Sequence, residues 1–265
     1  MRAINLKTNH LTAPLGMDAG PLFLSWQCVD GVCQTAYEIE LTANGETVWH
    51  SGKVQSAAVH ADAPTVGGSR VRGCWRVRLW DENDTPGAWS EAHFETGLAQ
   101  SDWQGEWVDP ETEEIDIPGD DAINAFARPN WERKQAEKEA AGKGATEPYK
   151  PHRPASYLRK TFTAPKGAAR LYITAKGLYA VWLNGVRVGD MVLAPGSFTG
   201  NKHIAAQTYD VTRYMRDSEN ELLVALGDGW HRSTGGVDGD RDLFGDTLGV
   251  LFQLEVDGKA VCVSD

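Results

Sequence analysis

Apolar and polar residues alternate with a period of two in several short segments of this chain, the mark of strands that bury one face. Residues 21–27 (PLFLSWQ) alternate weakly. Residues 35–41 (TAYEIEL) alternate cleanly and set Tyr37, Ile39 and Leu41 on one side. Asn44-Gly45 is a hairpin dipeptide, followed by Thr47-Val48-Trp49. Residues 74–80 put Trp75, Val77 and Leu79 on one face and Arg76, Arg78 and Trp80 on the other, and Trp89-Ser90 leads into a strand over 93–96. Short strands with turn signals between them predict an antiparallel sandwich over residues 1–99.

Residues 100–156 read differently. An aromatic stretch (102–107) gives way to an acidic, Pro/Gly-containing run (109–121). Residues 129–142 (PNWERKQAEKEAAG) carry the helix pattern of the chain, with Pro and Asn near the start and Gly at the end. This short helix lacks an apolar stripe, so it is expected on the surface of a linker insertion. Residues 142–154 have loop composition. Strands resume over 157–162, 169–175, 179–183, 186–188, 207–211, 221–226, 249–256 and 259–263, with turns at Asn184-Gly185 and Asp257-Gly258. The chain is therefore expected to be all-β: two consecutive antiparallel sandwiches, the second (157–265) jelly-roll-like. No closing element follows the final hairpin strand, which predicts a second domain cut short at its C-terminus.

Composition narrows the function. A net charge of −11 argues against nucleic acid and against anionic membrane surfaces. The ten Trp suit sandwich cores or flat platforms for sugar rings. Cys28, Cys33, Cys74 and Cys262 lack CxxC spacing and read as reduced thiols. Nothing at the N-terminus reads as a secretory signal, and a cytoplasmic location is expected. HExxH, GxGxxG, GxxxxGK[ST] and GxSxG runs are absent, which removes the usual zinc, nucleotide and serine-hydrolase signatures.

Two blocks carry a family resemblance. The first is Gln34-Thr35-Ala36-Tyr37, residues 49–54 (WHSGKV), residues 75–81 (WRVRLWD), Trp89-Ser90 and Phe94-Glu95-Thr96-Gly97. It resembles the fibronectin-III-like domain that opens bacterial α-L-rhamnosidases of glycoside hydrolase family 78. The second includes residues 158–162 (LRKTF), Gly177-Leu178-Tyr179, residues 183–190 (LNGVRVGD), Leu193-Ala194-Pro195-Gly196, residues 208–212 (TYDVT), Asn220-Glu221-Leu222 and residues 226–230 (LGDGW). It is similar to the rhamnosidase N-terminal sandwich that follows. The resemblance implies a parent enzyme that removes terminal L-rhamnose with inversion, by an acid and a base spaced to admit a water. In the family those carboxylates sit on an (α/α)6 barrel beyond this chain, so no catalytic residue is assigned and the fragment is expected to be inactive alone. The run Ser197-Phe198-Thr199-Gly200-Asn201 and the length of the 109–154 insertion depart from the pattern.

Asp228 and Trp230 are candidate carbohydrate-binding residues, since a carboxylate accepts from adjacent hydroxyls while an indole stacks on a sugar face. The alternative is that Trp230 packs structurally. Asn184 and Asp190 match the family motif, although an Asn-Gly turn explains the first without a ligand. Asp238, Asp240 and Asp242, with Asp246 beyond, are candidate Ca²⁺ ligands. The twelfth position from Asp238 is Gly249, not Glu, so this is no EF-hand, and a solvated acidic loop is the plain alternative.

Three functions remain open: a scaffold for a catalytic domain in cis, a calcium-dependent rhamnose-binding module, and a stand-alone interaction protein. The implied partners are L-rhamnose-containing glycosides through the parent enzyme. Surface exposed by truncation is expected to promote self-association.

Overall fold

A computed structural model describes residues 1–111, 128–142, 154–198, 202–232 and 244–265. Two compact units divide the chain at Trp103/Gln104. The sequence pattern ends the first domain at 99, and the segment after 103 joins the second unit by backbone pairing. Gln104 N–H donates to the Gln253 side-chain oxygen at 2.6 Å. Glu106 N–H donates to the Ser264 carbonyl at 2.7 Å, and Val108 pairs with Val250.

The first unit has two antiparallel sheets. One orders β1 (Arg2–Thr8), β2 (Gly20–Val29) and β6 (His60–Val66) with β2 in the centre. The other runs β4 (Glu46–His50), β3 (Ala36–Ala43), β7 (Arg72–Trp80) and β8 (Ser90–Glu95), with β5 (Val54–Gln55) also on β3. The β3–β7 register sets Ile39 opposite Val77 and Leu41 opposite Trp75. These side chains are fully buried with Leu24, as the period-two pattern requires. Gln34 closes the core edge: it accepts from Trp26 Nε1 at 3.0 Å and donates to the Ser56 and Ala58 carbonyls.

On the outer face of that sheet the polar positions interlock. Arg78 faces Glu38 across the strands at 2.5 Å, and Arg76 faces Glu40. Their guanidinium groups cover indoles: Arg76 lies 4.6 Å from the Trp89 ring centre, while Arg78 sits 5.0 Å from Trp80 and 4.8 Å from Trp89. Lys53 caps Trp80 at 4.9 Å. Trp80, on the polar side of its strand, is thereby 7% exposed.

The second unit is also a pair of antiparallel sheets. One orders β12 (Val186–Arg187), β11 (Leu178–Leu183), β14 (Glu219–Gly227) and β9 (Ser156–Thr163). The other orders β13 (Gln207–Asp210), β10 (Ala169–Lys176), β15 (Gly249–Val256) and β16 (Lys259–Val263). Leu171, Ile173, Leu183, Leu222, Leu226 and Leu254 fill the space between them. Gly177 links β10 to β11 at φ +113°, and a Cβ there would lie 2.4 Å from the Gly227 carbonyl oxygen, so only glycine fits this corner. Helix α1 (Arg128–Ala140) lies where its sequence pattern places it.

The four cysteines are unpaired. Burial pushes the Cys262 thiol up to about 11, with Lys160 pulling it down and Asp265 raising it. Burial also raises Cys28 and Cys74, whereas Cys33 is exposed. At pH 8 under native conditions, Ellman's reagent is therefore expected to titrate Cys33 rapidly and Cys262 only on unfolding; rapid reaction of Cys262 would contradict this packing. Because folding raises the Cys262 value, its contribution to stability is complete below the ordinary thiol range and is lost as pH climbs through about 11.

Candidate functional site

Two ends of the second sandwich hold the residues picked out from sequence. At one, β14 runs out into a single helical turn, α2 (Gly229–Arg232). Asp228 caps this turn: its carbonyl accepts from the His231 and Arg232 amides at 3.2 Å. Its carboxylate accepts from Arg232 Nε at 2.9 Å and lies 2.8 Å from Nη2. The two side chains are 17% and 5% exposed, so the pair is largely desolvated. Arg232 Nη1 also reaches the Asp246 carbonyl at 3.5 Å, and Phe244 N–H donates to the His231 carbonyl. Residues 232, 244 and 246 are thus tied to one point.

Trp230 stands beside this pair and is 43% exposed. With Pro195, Phe198, Ile204, His231 and Phe244 it lines a cavity of about 20 Å³. That space suits about one water molecule, not a sugar ring. A ligand at Trp230 would have to lie on its outer face.

Asn184 sits at the other end of β11, at φ +54° in its hairpin turn. Its amide donates to the Tyr214 carbonyl at 2.7 Å and to Asn220 Oδ1 at 2.8 Å, and its own oxygen accepts from Glu221 N–H at 2.9 Å. Asn220, fully buried, also accepts from Arg216 N–H and donates to the Arg216 and Ser218 carbonyls. This network stitches the β11 turn to β14 and occupies the polar atoms of Asn184. Asp190 is exposed in the loop that returns along β11 and lies near Tyr209. Tyr209 is bridged to Tyr179, whose hydroxyl donates to Gln207 at 2.7 Å; burial first, and its tyrosine neighbour second, push the Tyr179 hydroxyl well above its usual range.

Asp228 and Asn184 do not converge. Asp228 follows the Gly227 that pairs with Leu178, while Asn184 follows the Leu183 that pairs with Leu222. Five residues of strand separate these two ends, about 17 Å. Asp238, Asp240 and Asp242 lie outside the described residues, and Asp246 is exposed. Among the described residues no three His, Cys, Asp or Glu side chains gather to hold a metal. Sequence reasoning passed over Arg232, although its i,i+4 spacing from Asp228 was a usable signal.

The architecture defines a class first: a tandem of antiparallel all-β domains, the leading one immunoglobulin-like. Residues 3–100 match the Rha78A-like N-terminal immunoglobulin domain, and residues 165–265 match the alpha-L-rhamnosidase N-terminal domain. The chain belongs to the α-L-rhamnosidase family and corresponds to the N-terminal region of those enzymes.

An alpha-L-rhamnosidase of Formosa agariphila is 34% identical over 291 residues, covering 98% of this chain and 28% of the relative. One from Alteromonas sp. (strain LOR) is 31% identical, covering 82% of this chain and 22% of its own length. Among solved structures, the alpha-L-rhamnosidase from Dictyoglumus thermophilum superposes with a TM-score of 0.74 at 25% identity, over 100% of this chain and 29% of its own. The native Aspergillus terreus enzyme gives 0.74 at 28% identity, over 99% and 28%. The chain therefore spans less than a third of the length of these relatives.

Proposed function

We propose that this chain is the accessory, non-catalytic front of an α-L-rhamnosidase, supporting a catalytic domain in cis that hydrolyses terminal α-L-rhamnosides with inversion. The observation that carries the reading is collinearity: both domains align, in order, over 98% of the chain with 28% of a rhamnosidase. Inverting hydrolysis requires an acid and a base several ångströms apart across the scissile bond. Among the candidate carboxylates, Asp228 is paired with Arg232.

The test uses an aryl α-L-rhamnoside. The chain alone is expected to give no turnover above buffer. A chimera in which it replaces the matched region of the Formosa agariphila enzyme is expected to keep activity within about tenfold of that enzyme. Turnover by the isolated chain would overturn the non-catalytic assignment. Full activity of the relative with its matched region deleted would overturn the supporting role.

A second reading, sugar binding at the α2 end, is favoured by the exposure of Trp230. It places the ligand on the open face of the indole, with Asn184 too far along the sheet to share it with Asp228.

A further inference from the structure

Two Asn-Gly dipeptides make turns in this chain, Asn44-Gly45 between β3 and β4 and Asn184-Gly185 between β11 and β12. Asn is among the chemically labile residues, and a following glycine leaves its backbone nitrogen unshielded by any side chain. That nitrogen can attack the Asn side-chain carbonyl carbon once hydroxide takes its proton. A bond forms from nitrogen to Cγ, the Cγ–Nδ2 bond breaks, and ammonia leaves a succinimide ring. Water then opens the ring at either carbonyl, giving aspartate or isoaspartate. Nothing is oxidised or reduced, and water is the only co-reactant.

The backbone does not distinguish the two turns. φ is +52° at Asn44 and +54° at Asn184, then +88° and +81° at the glycines that follow. A Cβ built on either glycine meets no atom within 4 Å. The strands that follow, β4 and β12, are both sheet edges. What differs is the hold on the Asn side chain, which must leave its place to bring Cγ onto the next nitrogen. Asn184 is half-buried and tied by both ends of its amide, through three bonds to Tyr214, Asn220 and Glu221, with Asn220 fully buried behind it. Asn44 is exposed, and among the described residues its side chain has one such bond, accepted by Oδ1 from the Arg72 N–H at 3.0 Å.

We propose that Asn44 is a site of spontaneous deamidation in the folded chain, and that the hydrogen bonds around Asn220 shield Asn184 from the same reaction. Freeing Asn184 breaks two more hydrogen bonds than freeing Asn44, which at their usual net worth slows it by about tenfold or more. The product matters to the first unit. Aspartate at position 44 adds a negative charge and still accepts from the Arg72 N–H. Isoaspartate routes the backbone through the side chain and lengthens a two-residue turn by a methylene. The β3–β4 register that sets Trp49 opposite Leu41 then loses its anchor.

The test is peptide mass mapping of the whole folded chain after incubation in mildly alkaline buffer made with heavy-oxygen water. Each ring opened during incubation then carries solvent oxygen, and conversions during digestion in ordinary water are not counted. Label is expected in the Asn44 peptide at least about tenfold faster than in the Asn184 peptide. In concentrated urea, where neither side chain is held, the two rates are expected to converge. Asn220→Ala is expected to speed labelling at Asn184 and leave Asn44 unchanged. Asn44→Gln is expected to end labelling in its own peptide.

Three results would overturn the proposal: equal labelling of the two peptides in the folded chain, a rate gap that persists in urea, or no label at Asn44 in the time the urea sample takes to convert. The second would place the cause in local sequence and not in the fold. If Asn220→Ala unfolds the second unit, the folded and urea samples of the unaltered chain decide the matter by themselves.

Discussion

Replacing Trp75 by alanine is expected to destabilise the first unit by roughly 3–5 kcal/mol, the usual loss for a large aromatic side chain in a packed core. Trp75 is fully buried, sits opposite Leu41 on β3, and lies 6.5 Å from the Trp26 ring centre. Its indole N–H donates to Thr8 Oγ1 at 2.9 Å, and Thr8 is itself 1% exposed. Truncation therefore opens a cavity and also strands a buried hydroxyl on β1. Trp75→Phe keeps most of the volume but loses the donor, so it is expected to fall between wild type and Trp75→Ala. Urea unfolding followed by tryptophan fluorescence measures both. A loss below about 1 kcal/mol for the alanine variant would show that the two sheets close over the gap.

That Trp75 shares a face with Val77 and Leu79 was plain from the alternation in residues 74–80; that this face pairs with Ile39 and Leu41 emerges only from the register. Two strands of the same sandwich were not legible. β1 pairs with β2 through a register shift between Ile4 and Lys7, and this bulge breaks the period of two on which the pattern depends. β6 buries only Ala61, Ala63 and Val66, and its Pro64 argues against a strand; the position is tolerated because β6 is an edge of its sheet. Trp80 was placed on the polar face, correctly, yet nothing in the spacing tells that Lys53 and Arg78 would cover it.

The candidate site was legible as residues and not as geometry. Asn184-Gly185 reads as a turn, and a turn it is; that the Asn184 amide reaches Asn220 and Tyr214, some thirty residues away in sequence, is a tertiary fact. The outer apolar face of the β11–β14 pair was visible in the runs YAVWL and ELLVAL. Continuous apolar runs, however, give no sign of which face is covered until the register is known.

Truncating Arg232 to alanine is expected to cost the second unit roughly 3–5 kcal/mol, because it leaves the Asp228 carboxylate in a largely dry setting without its cation. Asp228→Ala is expected to cost a similar amount for the reverse reason, leaving an arginine that is 5% exposed. The two losses should not add. Removing both charges relieves the unpaired one, so the double variant is expected to be more stable than the sum of the singles by at least about 1 kcal/mol in a double-mutant cycle. The pair also holds α2 against Asp246. Proteolysis between residues 232 and 246 should therefore quicken in either single variant before global unfolding begins. Additive losses in the cycle, with that cleavage unchanged, would mean that Asp228 serves only as the cap of its helical turn and that the buried cation is held by its other contacts.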